Sequence, residues 1–300
     1  MVFLDVILPV FLMLLLGFAG QKKFKLDVKP ISTLAIYILT PPLVFRVFYD
    51  TPLDTNILYV AIYAMVLPVI IIGLIYLLGK CRVVAKDSIR STMLSTGFIN
   101  MGNMGGPVML FAFGEIGFNY ALMINMFHAI SMNTLGLYIA ASGKQNDMKQ
   151  TLLTLLRFPA NHAMVLAFGW KLLDLPMPDN LYKVMKLVGD TSVPLIVVIL
   201  GMQLADSRIA SLNWLRVGTA VSLRLVVSPI IALGLVYFLP VSKLWQQVMI
   251  IEAAMPTAAF IAMYAVQYNQ DPDFVTSVTF FTTLFSSITL TIIIPLVLRM

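Results

Sequence analysis

The chain has 300 residues, 60% of them hydrophobic and 11% charged, with a formal net charge of +6 and a mean hydropathy of +0.92. Soluble domains are about 45–50% apolar and about 25% charged, so a soluble globule is excluded and an integral membrane protein is implied. Two histidines and one cysteine leave no metal centre and no internal disulfide, and the basic residues lie in short turns between apolar runs, which is membrane topology rather than nucleic-acid binding.

The apolar runs are long and nearly free of charge, fitting helices of about 20 residues across ~30 Å of hydrocarbon rather than alternating barrel strands. The predicted fold is all-α. Hydropathy and turn punctuation place ten spans: Val2–Gly20, Ile31–Tyr49, Asn56–Leu78, Ser88–Phe113, Gly117–Ala140, Phe158–Leu173, Leu181–Leu204, Leu212–Phe238, Leu244–Tyr268 and Phe274–Leu298. No basic residue precedes the first span, which carries Asp5 and is followed by Lys22, Lys23, Lys25 and Lys29; it reads as a retained span rather than a cleaved signal peptide. The polar connection from Ser142 to Arg157 divides the chain into 1–140 and 158–300, joined by a cytoplasmic linker over 141–157. Five spans per half force the second half to insert upside down. Turns after odd spans hold thirteen Lys and Arg against four after even spans, which puts both termini outside the cytoplasm.

Proline breaks recur in the two halves. Span 2 has Thr40-Pro41-Pro42-Leu43 and span 7 has Ser192-Val193-Pro194-Leu195; span 4 holds Asn100-Met-Gly-Asn-Met-Gly-Gly-Pro107 and span 9 holds Glu252-Ala-Ala-Met-Pro256-Thr257. Pro42 and Pro107 lie 65 positions apart, and Pro194 and Pro256 lie 62 apart. Proline lacks an N–H, so the carbonyls of Asn103 and Glu252, each four residues earlier, are expected to lose their helical partners. Gly102, Gly105 and Gly106 give freedom to unwind. Each second half-helix is expected to begin near its proline, with unpaired N–H groups and a positive dipole end that favour an anion; the first halves end in carbonyls that favour a cation or a proton donor. Two broken helices crossing from opposite sides would set an anion pocket beside a cation pocket.

The candidate substrate ligands are Asn100 and Asn103, three residues apart, with the backbone of Gly105, Gly106, Pro107 and Pro256, the hydroxyls of Thr257 and Thr40, and Arg46 as a two-pronged carboxylate partner. Glu252 is the only acid deep in an apolar span. It must be protonated, bind a cation, or pair with a buried base such as Arg224 or Arg46. Glu252 is the leading ion-coupling residue, followed by Asp190 and His128. No metal ligand set and no cofactor are expected; a sodium ion or a proton is the expected coupling ion, with facilitated, uncoupled transport as the alternative.

Glu252-Ala-Ala-Met-Pro-Thr-Ala-Ala-Phe260, running on to Tyr268-Asn269-Gln-Asp-Pro272-Asp273, resembles the ninth helix and following turn of the auxin efflux carrier family. Asn100 to Pro107 resembles that family's broken fourth helix, and Ile38-Leu-Thr-Pro-Pro-Leu-Val-Phe45 its second. The resemblance implies ten helices in two inverted repeats, with a scaffold from helices 1, 2, 6 and 7 and a transport domain from 3, 4, 5, 8, 9 and 10. It also implies elevator-like carriage of mono- or dicarboxylates, and homodimers through the scaffold. The short central connection resembles compact bacterial members, placing the chain in a bacterial inner membrane with organic anions rather than auxin as cargo. A monovalent cation/proton antiporter is the nearest alternative. A membrane-embedded enzyme is disfavoured, because paired intramembrane aspartates, HExxH, GxSxG and a phosphate-binding loop are all missing from the sequence.

Overall fold

The computed structural model describes residues 2–52, 54–141, 158–207 and 213–300; most of the expected linker, with Arg157 and Arg208, lies outside them. The described residues form helices and turns with one isolated antiparallel bridge. In chain order the helices are α1 Phe3–Phe24, α2 Val28–Asp50, α3 Asn56–Lys80, α4 Ile89–Gly97, α5 Met101–Ala141, α6 Pro159–Leu172, α7 Asp179–Asp206, α8 Trp214–Tyr237, α9 Lys243–Ala253, α10 Ala259–Tyr268 and α11 Pro272–Leu298.

Seven of these, α1, α2, α3, α5, α7, α8 and α11, are long and apolar enough to cross a membrane. The difference from ten expected spans has three sources. The fourth and ninth segments are each interrupted, leaving α4, α9 and α10 short. The sixth gives the 14-residue α6. α5 runs for 41 residues, about 60 Å at 1.5 Å per residue, and joins the end of the expected fourth span to the whole of the fifth. It is two helices meeting at Gly114, whose φ of 70° and ψ of −160° suit glycine alone.

The prolines act differently from expectation. Five-residue π turns at Phe3–Ile7, Ala35–Leu39, Met101–Gly105 and Leu223–Val227 each stop two residues before Pro9, Pro41, Pro107 and Pro229, with one residue between. In each, the N–H of the intervening residue reaches back five positions, as from Gly106 to Met101 and from Thr40 to Ala35. The wider turn moves the carbonyl that a proline ring would otherwise strike. Pro107 therefore sits inside α5, which begins at Met101 rather than near the proline, and Pro194 lies within an unbroken α7.

α1, α2, α6 and α7 pack as one group. Gly17 and Gly201 bring α1 and α7 into backbone contact: a Cβ on Gly201 would lie 2.0 Å from the Leu14 carbonyl oxygen, and one on Gly17 2.0 Å from that of Val198. Small residues allow such approach where no hydrophobic drive separates helix from lipid. Phe48 stacks edge-on with Phe168, and Lys171 of α6 caps the end of α2 through the carbonyls of Tyr49 and Thr51. The remaining helices pack around the interrupted pair, with Tyr63 of α3 donating to Met249 O at 2.8 Å and Gln247 of α9 to Val297 O at 3.1 Å.

Candidate functional site

Both interruptions lie at one place. After α4 the chain becomes extended at Phe98 (φ −117°, ψ 131°), and after α9 it runs through Met255 and Pro256 to an extended Ala258 (φ −61°, ψ 123°). The two stretches form a one-rung antiparallel bridge, Ile99 with Thr257. Asn100 N–H donates to Pro256 O at 2.8 Å and Ala258 N–H to Phe98 O at 3.0 Å. Ile99 N–H donates to His128 Nε2 at 3.0 Å, and Thr257 N–H to Thr282 Oγ1 at 3.2 Å. Membrane-buried backbone must find partners, and here each break supplies much of what the other lacks.

Several expectations change as a result. The Glu252 carbonyl is not orphaned, because it accepts from Met255 N–H at 3.1 Å. Thr257 turns its hydroxyl to the Ser95 carbonyl, so it ties the two breaks together. An Nε2 that accepts a hydrogen bond carries no proton, so His128 is neutral here and completes the backbone of the break; its tautomer follows from that network.

A cavity of about 190 Å³ opens beside the bridge. The first break and the start of α5 line it with Ile99, Asn100, Gly102 and Asn103, the start of α10 with Ala258, Ala259 and Phe260, and the facing group with Ile36, Thr40, Asn161, Val193 and Ile196. Asn125, His128 and Asn133 close it from the second half of α5. The opening N–H groups of α5 and α10 have no partner within their own helices, and both positive dipole ends meet this space. Asn100 is 4% exposed, and its Nδ2 has no hydrogen-bond partner. No described lining residue is charged.

Asn100, Asn103, Thr40 and His128 are thus brought together, Thr40 with its hydroxyl 3.3 Å from that of Ser192. Asn100 and Asn103 do not share an intact helical face, since Asn100 precedes α5. Gly105 lies behind the cavity, pressed on Glu252: a Cβ there would be 2.1 Å from Oε2 and 2.4 Å from Oε1. Gly106 packs on Phe118, and Pro256 contributes its carbonyl to the bridge.

Arg46 and Asp190 stand elsewhere. They pair at 2.8 Å, Lys186 bridges Asp190 and Glu115, and a second cavity, of about 300 Å³, is lined by Arg46, Glu115, Asp190 and Pro107. Glu115 follows Gly114, where the two helices of α5 meet, and its side chain is 68% exposed; the hydrogen bond and charge of Lys186 hold its carboxyl below the ordinary carboxylate range. Asp190 is therefore an ion-pair partner of Arg46 and Lys186. Glu252 is fully buried and has no ion pair among the described residues, and neither carboxyl oxygen has a hydrogen-bond partner. Asn125 and Asn161 were not foreseen as lining residues; an amide in an apolar span is the signal that points to them.

A model of the membrane transport protein family matches residues 2–294. The chain is also similar to an uncharacterized transporter of Methanocaldococcus jannaschii, 28% identical over 95% of this chain and 96% of the relative. An uncharacterized transporter of Methanothermobacter thermautotrophicus is 26% identical, with 95% of each chain covered.

Proposed function

The chain belongs to the membrane transport protein family, that of the auxin efflux carriers, and is a transporter rather than an enzyme; from this premise we propose that it is a secondary carrier of small organic anions, mono- or dicarboxylates. The observation that carries this reading is the cavity at the crossing, where two helix N-termini meet the unpaired, buried Asn100 amide. Amide and backbone N–H donors at positive dipole ends suit a carboxylate. Asn103 and Asn125 add further amides.

The architecture we propose is ten spans in two inverted five-helix repeats, counting α4 with the start of α5, and α9 with α10, as single broken spans. α1, α2, α6 and α7 act as the scaffold; the other helices carry the crossing and slide against it, moving the bound anion across the bilayer. The mixed lining of the cavity, drawn from both groups, supports a site at their boundary. The protein lies in the plasma membrane with both termini outside the cytoplasm, and pairs through its scaffold.

Glu252 is fully buried and has no ion pair among the described residues, and an uncompensated charge there would cost several kcal/mol; a proton carried on this carboxyl is the coupling ion we favour. The same carboxyl is what a cation/proton antiporter would use, which keeps that alternative in view. Labelled malate or malonate uptake into proteoliposomes, set against sodium flux, separates the two. A thermal-shift screen of small carboxylates tests binding directly, because a ligand of the folded state raises apparent stability by mass action. Stabilisation by a carboxylate should vanish in the Asn100→Ala/Asn103→Ala protein; an unchanged shift there removes this cavity as the anion site.

A further inference from the structure

We propose that the Arg224 guanidinium is a resident cation standing where the carbonyl ends of the two broken helices would otherwise call for a metal ion, so that the crossing needs no sodium. The inference rests on the carrier reading for its consequence in transport, but its geometry stands apart from any cargo. α4 and α9 each end at the crossing, and a helix C-terminus presents free carbonyls and a negative dipole end. In broken-helix carriers such ends favour a cation. Here Arg224 Nη1 donates to Thr96 O, near the end of α4, at 2.7 Å. Nη2 donates to Ala253 O, the last residue of α9, and to Ser228 Oγ. Ser228 in turn donates to the same Ala253 carbonyl at 3.1 Å.

Arg224 and Ser228 are fully buried. The guanidinium is planar and carries its donors in a fixed fork, so one side chain reaches carbonyls on two helices at once. The π turn Leu223–Val227, which accommodates Pro229, holds the residue that does so. Glu252, next in sequence to Ala253, forms no ion pair with it, and Tyr63 donates its hydroxyl to Met249 O at 2.8 Å. The charge of Arg224 is therefore met by helix ends rather than by a carboxylate. A lysine or a metal ion at one helix end would not fasten both broken helices through one rigid plane.

The experiment uses the full purified chain without substrate, unfolded by heat in sodium chloride and in choline chloride at equal ionic strength. Wild type is expected to show the same Tm in both; a rise specific to sodium would overturn the assignment. Arg224→Ala is expected to lower Tm by several degrees and to become cation-responsive, recovering at least part of the loss on addition of millimolar methylguanidinium or sodium but not choline. A folded variant with wild-type Tm, or one that neither cation restores, would equally overturn it. If Arg224→Ala does not fold, the wild-type comparison decides alone. Failure of every carboxylate to bind would remove the anion-carrier reading and leave this result unaffected.

Discussion

Replacing Gly105 with alanine places a methyl group against the buried Glu252 carboxyl, and the structure sets the size of the effect. The new Cβ would lie 2.1 Å from Oε2, 2.4 Å from Oε1 and 2.6 Å from Cδ, closer than the 3.0 Å that real Cβ atoms observe. The carboxyl is the end of a flexible side chain, but it is fully buried, so moving it aside displaces packed neighbours. Overpacking of this kind costs about 1–3 kcal/mol, which at roughly 2–4 °C per kcal/mol for a large domain amounts to a Tm fall of about 2–12 °C. Glu252→Ala removes the obstacle, and the space it leaves takes the new methyl group. The double variant should therefore be more stable than the sum of the two single changes predicts, with a coupling of about 0.5–3 kcal/mol. Thermal unfolding of the four detergent-solubilised proteins measures this cycle. Simple additivity, or a Gly105→Ala protein as stable as wild type, would refute the close crossing of α5 over α9.

Gly201→Ala should destabilise by at least about 1–3 kcal/mol, because the obstacle, the Leu14 carbonyl, is backbone at 2.0 Å; Gly20→Ala, with nothing within 4 Å, is the matched neutral control in the same melt. His128→Ala strips Ile99 N–H of its acceptor and should cost about 1–3 kcal/mol, with His128→Gln recovering part of the loss by the same measurement. The Glu115 carboxyl is held below its ordinary range by Lys186, so their link stabilises the fold at neutral pH and fades as pH falls through that depressed value. The side chains are 39% and 68% exposed, which keeps the contribution within about 1 kcal/mol; Lys186→Ala should flatten the Tm profile below about pH 4, near the ordinary Glu value, and a parallel profile would contradict the link.

Some of this was legible along the chain. The membrane-length runs, the all-helical class and the family follow from composition and from motifs around Asn100 and Pro256, because hydrophobicity over 20 residues and a short local pattern need no partner to be read. The location of the breaks was partly legible. Pro256 does lie at an interruption, but Pro107 lies within α5, since a π turn ahead of it removes the clash that would have stopped an α-helix. A proline reports an altered turn; whether the chain parts there depends on what the neighbouring backbone offers.

Composition and local pattern alone place this protein in a bilayer as helices, with polar groups in the fourth and ninth segments where hydrocarbon alone would not tolerate them. Their partners were set by the three-dimensional packing. Asn100 N–H meets Pro256 O, Arg224 fastens α4 to α9, and Arg46 pairs with Asp190 away from the cavity. A buried donor or acceptor is satisfied across space rather than along the chain, by groups here up to 186 residues apart, and a linear pattern carries no record of which distant residue will supply the bond.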